Sequence, residues 1–230
     1  MKKTIISCVL FLTAVTAFSQ TTMKTAAEAK LSASDLAVKI ADRILATTTY
    51  EFKNAKTGKT YKSVKDLPLD MNVKVACKYN NWHYTNGVTH IALMELADKT
   101  GAKKYDDYVF KNMNFVFNEG NLDFFKKQYD QAMKDEGWYG VRKLSWHMIF
   151  RGKRLDDNGP MGASLIDLQM KHPNNSFLNY INETAEHLNY GEPRLADGTI
   201  ARIWPHENTI WADDAFMAIS FLARMAKMTG

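Results

Sequence analysis

The stretch that decides the fold is residues 155–180, which read LDDNGPMGASLIDLQMKHPNNSFLNY. After Gly162-Ala163, apolar residues recur at helical spacing. A turn signal follows at His172-Pro173, and Phe177 and Tyr180 lie beyond it. The pattern predicts an inner helix with small residues near its start, a tight turn, and an outer helix that carries aromatic residues.

The same pattern occurs at two other places in the chain. Residues 87–105 repeat it, with Thr100-Gly101 at the turn, and a third copy begins at Asp213 and reaches Thr229-Gly230. Repeated αα-hairpins bury their apolar faces only against neighbouring hairpins, so the repeat predicts an all-α, incomplete helical toroid. Generic amphipathic helices would give the same loose similarity, and this alternative stays open.

Outside the repeat, helices are also expected. Periodicity predicts a helix from Ser34 or Asp35 to Ala46, and others over 104–117, 122–134 and 142–150, the last of which is alternatively extended. The polar segment 50–75 is interpreted as a loop, and 199–204 as a short strand.

The first 19 residues have the pattern of a secretory signal peptide. Lys2 and Lys3 precede an apolar stretch that is too short to span a bilayer, and Ala17-Phe18-Ser19 forms a small-x-small cleavage site. The expected mature protein, residues 20–230, is soluble and exported, to a bacterial periplasm. Cleavage leaves Cys77 as the only cysteine, so no internal disulfide is expected.

Charge and motif content exclude several functions. The net charge of +5 is scattered along the chain, which gives nucleic-acid binding no support. No His, Cys and Asp set has metal-ligand spacing, no glycine loop would cradle a phosphate, and no later segment predicts a membrane span. We therefore expect no cofactor and no metal, and no feature of the sequence indicates an oligomeric state.

Two acidic pairs are the main candidates for chemistry. Asp156-Asp157 and Asp213-Asp214 each open a repeat-like inner helix. One carboxyl group of such a set would donate a proton while another holds water or substrate. The alternative is that each aspartate only caps its helix.

Two further clusters would form the rim of a sugar site. Trp82-His83-Tyr84-Thr85-Asn86-Gly87 combines aromatic faces with hydrogen-bonding groups, and Arg202 and His206 lie in a loop before Trp211. An arginine fork suits a planar carboxylate such as that of an acidic sugar. The alternatives are an aromatic staple with a threonine cap, and a surface arginine with a loop histidine.

Four ordered motifs carry a family resemblance: Trp82-x-Tyr84-Thr85-Asn86-Gly87, Leu155-Asp156-Asp157-x-Gly159-Pro160-Met161-Gly162, Asp197-Gly198-Thr199-x-Ala201-Arg202 and Thr209-x-Trp211-x-Asp213-Asp214-x-Phe216-Met217. Together they resemble the unsaturated glycuronyl hydrolases of glycoside hydrolase families 88 and 105, especially the unsaturated rhamnogalacturonyl hydrolases. The resemblance implies an (α/α)6 barrel of six hairpins, of which this chain supplies about the first half.

The resemblance also implies the reaction. Substrates of the family carry a 4,5-unsaturated uronic acid left by a polysaccharide lyase. A general acid protonates C4, water adds at C5, and the resulting hemiketal opens and expels the saccharide. Two carboxyl groups suffice for these steps.

Residue by residue, the resemblance gives Asp213 the role of general acid that also orients the water. Asp157 would assist through the sugar hydroxyls.

The resemblance also implies which residues bind the substrate. Arg202 or His206 would bind the substrate carboxylate, and Asn86 would bind hydroxyls. The walls of the site would be formed by Trp82, Tyr84 and Trp211. Trp211 and Phe216 would desolvate Asp213, as a proton donor near neutral pH requires.

Two other functions compete with this one. A non-catalytic, secreted α-toroid fragment would bind acidic glycans or nothing, and saccharide binding without turnover would favour it. A different (α/α)6 enzyme, such as a lyase or an inverting hydrolase, would act on saturated substrates.

Overall fold

A computed structural model gives the fold and describes residues 32–117, 120–151 and 154–230. The chain divides into two compact units, Met1–Arg43 and Ile44–Gly230. The predicted signal peptide, residues 1–19, lies outside the described residues. The predicted first helix is confirmed as α1, which spans Ala33–Thr47.

Helices dominate the described chain after α1. They are α2 (Tyr84–Thr100), α3 (Lys104–Phe117), α4 (Asn121–Glu136), α5 (Trp138–Val141), α6 (Met148–Arg151), α7 (Leu155–Lys171), α8 (Asn175–Glu186) and α9 (Ala212–Thr229). A 3-10 turn spans Val64–Asp66, and a π-helical turn, His187–Gly191, follows α8.

The helical repeat predicted from the sequence is confirmed. Helices α2 and α3 form one hairpin, α7 and α8 form the next, and α7 also packs against α2 and α9. The three inner helices of the repeat are therefore α2, α7 and α9, and α7 packs against each of the other two. This is the all-α hairpin arrangement of a toroid.

Glycines at the start of α7 explain why the inner helices pack so closely. A Cβ atom built on Gly159 would lie 2.5 Å from the Met217 carbonyl oxygen of α9. A Cβ atom on Gly87 of α2 would lie 2.4 Å from the Pro160 carbonyl carbon of α7. Only residues without a Cβ atom allow such backbone approach. Gly159 therefore sets the distance between α7 and α9, which carry the acidic pairs, and Gly87 sets the distance between α2 and α7.

Aromatic side chains fill the space behind the inner helices. Trp82, Phe117, Trp146 and Tyr180 form edge-on and tilted ring contacts, and Trp82 and Trp146 have almost no exposed surface. This core fixes the segment before α2 against α3 and α8.

The prediction of a loop over 50–75 was wrong. A three-stranded antiparallel sheet in the order β2-β1-β3 occupies it, with β1 at Phe52–Asn54, β2 at Thr60–Tyr61 and β3 at Val73–Val75. Strands of two or three residues are too short to show an alternating pattern in the sequence. Burial of Phe52 against Phe124 and Phe125 helps to hold this sheet.

Two other segments differ in detail from the prediction. Residues 142–150 contain turns and the start of α6 rather than one continuous helix. The predicted strand at 199–204 is reduced to isolated bridges, Arg194 with Ile200 and Arg202 with Thr209. Among the described residues, no helix combines the length and apolar character needed to cross a lipid bilayer.

Candidate active site

The packing of α7 against α9 brings the two acidic pairs to one end of the inner helices. Asp156 and Asp157 lie in the first turn of α7, and Asp213 and Asp214 lie in the first turn of α9. The residues that cap these helices are Arg154 and Trp211, neither of which makes a side-chain cap hydrogen bond. The aspartates therefore follow the caps, and the alternative that they act as N-caps does not hold.

The second aspartate of each pair is buried and held by an arginine. Both carboxylate oxygens of Asp157 accept hydrogen bonds from Arg151. Both oxygens of Asp214 accept from Arg202, one of them at 2.7 Å from Nη2. Two-pronged pairs of this kind fix both side chains in orientation as well as in distance.

The first aspartate of each pair is more available. Asp156 is half-buried and hydrogen-bonds to no described residue. The Asp213 side chain is 54% exposed, lies 3.9 Å from Arg202 Nη2, and accepts the backbone N–H of Asp214. The structure thus divides each pair into a buried, arginine-bound carboxylate and a carboxyl group that a ligand can reach.

Burial raises the pKa of Asp156. The Arg202 guanidinium opposes this shift, while the carboxylate of Asp214 adds to it. A raised pKa favours the neutral carboxyl group, which is the form that donates a proton.

Asp156→Asn is expected to gain stability relative to the natural chain as the pH rises from about 4 to about 7. A carboxyl group whose folded pKa is raised stabilises the folded state below its unfolded pKa, and this contribution is lost as the pH rises through the folded pKa. Asparagine does not titrate, so the variant escapes that loss. Because water screens the half-exposed group, the gain is about 0.5 kcal/mol in urea unfolding.

Asp123→Asn is the matched control for this measurement, because Asp123 is an exposed carboxyl group in the first turn of α4. The pH trend should be absent from the control. A constant difference between Asp156→Asn and the natural chain across this pH range would contradict the assigned burial effect.

A cavity of about 530 Å³ opens beside the acidic pairs. Asp156, Asp214 and Arg202 line it, together with Trp204 and residues that follow α8. The cavity therefore combines carboxyl groups, a guanidinium suited to a carboxylate, and an aromatic face suited to a sugar ring.

Trp211 contacts the site through Arg202. The Arg202 guanidinium carbon lies 4.1 Å from the centre of the Trp211 ring, and hydrogen bonding to Asp214 raises the pKa of Arg202. A cation stacked on an indole and paired with a carboxylate has little freedom to move. The sequence predicted that Trp211 and Phe216 shield Asp213 from water. Both side chains are instead 41% and 48% exposed, so they do not desolvate the Asp213 carboxyl group.

Three predicted site residues lie elsewhere than expected. Trp82 is fully buried and donates from Nε1 to the Asp157 carbonyl oxygen at 2.7 Å, so it supports the first turn of α7 and does not form a wall. Asn86 is buried, and its amide donates to the carbonyls of Lys78 and Asn81. Asp157 is 1% exposed, so its carboxylate is directed to Arg151 and is not open to sugar hydroxyls.

Two others lie on the surface outside the cavity lining. Tyr84 is 37% exposed at the start of α2, beside His83. His206 is exposed in the loop before α9. Asp213 and Trp211 are not part of the lining either, but both lie close to Arg202, which lines the cavity. The structure therefore groups Asp213, Arg202 and Trp211, and leaves Tyr84 and His206 outside that group.

Several residues of the site were not predicted from the sequence. Arg151 and Asp156 take roles that were not assigned to them, and His187 and Glu192 line the cavity although they were not among the predicted site residues. No short-range pattern marks them, because the fold after α8 is what brings them to the cavity. In residues 32–117, 120–151 and 154–230, no three His, Cys, Asp or Glu side chains are grouped to hold a metal ion.

Comparison with known proteins gives one family. A protein-family model described as Glycosyl Hydrolase Family 88 matches residues 53–230, well over half of the chain. A comparison with curated proteins gives no match. The match covers the hairpins, both acidic pairs and the Arg202 loop, and the chain therefore belongs to glycosyl hydrolase family 88.

Proposed function

We propose that this glycoside hydrolase removes the 4,5-unsaturated uronic acid from the non-reducing end of lyase-generated oligosaccharides, with rhamnogalacturonan fragments as substrates. The observation that carries the proposal is the position of Arg202. Its guanidinium lines the cavity beside Asp156 and lies 3.9 Å from Asp213. A cation next to reachable carboxyl groups matches a substrate that has a carboxylate and needs a proton.

One guanidinium nitrogen of Arg202 is available to donate a hydrogen bond to the substrate. Its Nε and Nη2 atoms bind Asp214, whereas Nη1 hydrogen-bonds to no described residue. The uronate carboxylate would accept a hydrogen bond from Nη1 without displacing Asp214. The Trp211 ring, whose centre lies 4.1 Å from the guanidinium carbon, also restricts its movement.

Asp213 is the proposed general acid. Its proton goes to C4 of the vinyl ether, and water adds at C5 after losing a proton to the resulting carboxylate. The hemiketal formed at C5 then opens, and the saccharide leaves with a free hydroxyl group. Asp156 lines the cavity beside Arg202, and burial raises its pKa, which favours a neutral carboxyl group near the bound uronate.

Export is part of the proposal. The pattern of residues 1–19 supports a signal peptide, and an exported enzyme would meet oligosaccharides outside the cytoplasm.

The test is a turnover assay with rhamnogalacturonan oligosaccharides made by a lyase. The expected result is loss of the absorbance of the conjugated uronate, because hydration removes the C4=C5 double bond. The same oligosaccharides with a saturated uronate are the control and should stay intact. Binding without absorbance loss would favour the non-catalytic glycan-binding protein, and cleavage of the saturated control would favour a different hydrolase.

A further inference from the structure

The segment after α8 forms part of the cavity wall. The chain leaves α8 through the π-helical turn His187–Gly191, a rare geometry that occurs mostly as single turns and is frequent at functional sites. His187 and Glu192 line the cavity, and Trp204 lines it from the Arg202 loop. The proposed mechanism uses none of these three side chains.

His187 and Glu192 form a fixed pair. His187 Nε2 lies 2.7 Å from Glu192 Oε1, and the two side chains are only 17% and 10% exposed. A Cβ atom built on Gly191 would lie 2.4 Å from His187 Nδ1, so the imidazole occupies space that only a glycine leaves open. The ring is therefore held in one position by its neighbours.

This pair has hydrogen-bonding capacity that the described chain does not fill. Glu192 Oε2 and His187 Nδ1 hydrogen-bond to no described residue. Because both side chains line the cavity, these two atoms are open to water or to the polar groups of a ligand. As a carboxylate, Glu192 only accepts hydrogen bonds, so its Oε2 atom suits a ligand donor such as a sugar hydroxyl, and not a sulfate or a carboxylate.

Trp204 adds an aromatic surface to the same cavity. Its side chain is 72% exposed although the indole is among the largest apolar groups in the chain. An aromatic face packs against the C–H face of a pyranose ring, which buries apolar area on both partners. An exposed indole and an acceptor without a protein partner at the same cavity form a combination that a sugar ring with free hydroxyls satisfies.

We propose that His187, Glu192 and Trp204 form the subsite for the sugar unit that is released from the unsaturated uronate, and that this unit is uncharged and carries a free hydroxyl where it meets Glu192. The inference rests on the proposed function, because it assigns the leaving sugar of that reaction. The uronate itself would lie at Arg202, whose charge it needs.

The activity experiment compares two substrates on the full chain. One is unsaturated uronyl-rhamnose, and the other is the methyl glycoside of the unsaturated uronate, which has no second ring. Trp204→Ala and Glu192→Gln should each lower kcat/KM on the disaccharide about tenfold, through KM, and leave the methyl glycoside unchanged. A sulfate ester on the second sugar should weaken binding to the natural chain, and less so to Glu192→Gln.

Matched controls separate the subsite from general effects. Tyr139 is also 72% exposed and does not line the cavity, so Tyr139→Ala should behave like the natural chain. Glu186→Gln alters an exposed carboxylate one residue before His187 and should also have no effect. Equal losses on both substrates, or no loss in the subsite variants, would overturn the proposal.

A binding measurement keeps the inference separate from the proposed function. Calorimetric titration of the full chain with rhamnose should give an affinity that falls about tenfold in Trp204→Ala and not in Tyr139→Ala. Trp204-dependent binding without turnover of any unsaturated substrate would retain the subsite and refute the proposed reaction. Turnover with rhamnose affinity that does not depend on Trp204 would refute the subsite alone.

Discussion

Asp213→Asn is expected to lower the turnover of unsaturated uronyl-rhamnose by about 10²- to 10⁴-fold. The amide keeps the shape of the side chain and loses the proton that C4 must receive. Because Asp213 is 54% exposed and belongs to no two-pronged arginine pair, the substitution should leave the fold intact. Absorbance loss of the conjugated uronate measures kcat, and an unchanged urea midpoint checks folding.

Two companion variants make this measurement decisive. Asp123→Asn changes an exposed first-turn carboxyl group of α4 and should retain full activity. Asp156→Asn tests the competing donor, whose pKa is raised by burial. Unchanged turnover in Asp213→Asn together with a large loss in Asp156→Asn would transfer the role of general acid to Asp156.

Arg151→Met is expected to destabilise the protein by about 3 kcal/mol. The variant would leave the Asp157 carboxylate, whose side chain is 1% exposed, without the guanidinium that binds both of its oxygens. Removal of one partner from a buried ion pair is costly because the remaining charge stays desolvated. Urea unfolding of the variant and the natural chain measures the loss.

The reason for the loss can be tested by a double-mutant cycle. Asp157→Asn in the Arg151→Met background should restore much of the stability, since it removes the unpaired charge. Arg224→Met is the control, because Arg224 pairs with Asp167 where both side chains are 21% exposed, and its loss should be about 1 kcal/mol or less. Equal losses in Arg151→Met and Arg224→Met would show that burial of Asp157 is not the cause.

Helical periodicity was enough to predict the architecture. The presence and order of α2, α3, α7, α8 and α9 follow from apolar spacing, from turn signals such as His172-Pro173, and from the small residues near the helix starts. The short sheet was missed because its strands of two or three residues are held by tertiary contacts such as those of Phe52 with Phe124. Local patterns report elements only when these are long enough to repeat.

The sequence was enough to predict which motifs belong to the site, but not which role each residue has in it. The sequence indicated that both acidic pairs and Arg202 belong together, and the packing of α7 on α9 agrees. It offered no means of telling Asp156 from Asp157, because adjacent residues on a helix point about 100° apart and only the neighbouring helix decides which is buried. Trp82 was predicted to form a wall of the site but is buried in the core. An aromatic side chain packs equally well against a sugar ring and in a protein core, so its residue type does not distinguish the two.

The sequence by itself determined the family, the hairpin repeat and the presence of two acidic pairs, because these depend on residue types and their spacing. Only the tertiary structure decided that Asp157 and Asp214 are bound by arginines and that Asp156 and Asp213 can be reached. It also brought His187 and Glu192 to the cavity. Burial and pairing depend on the close approach of α7 and α9 at Gly159, which places residues far apart in sequence within contact distance.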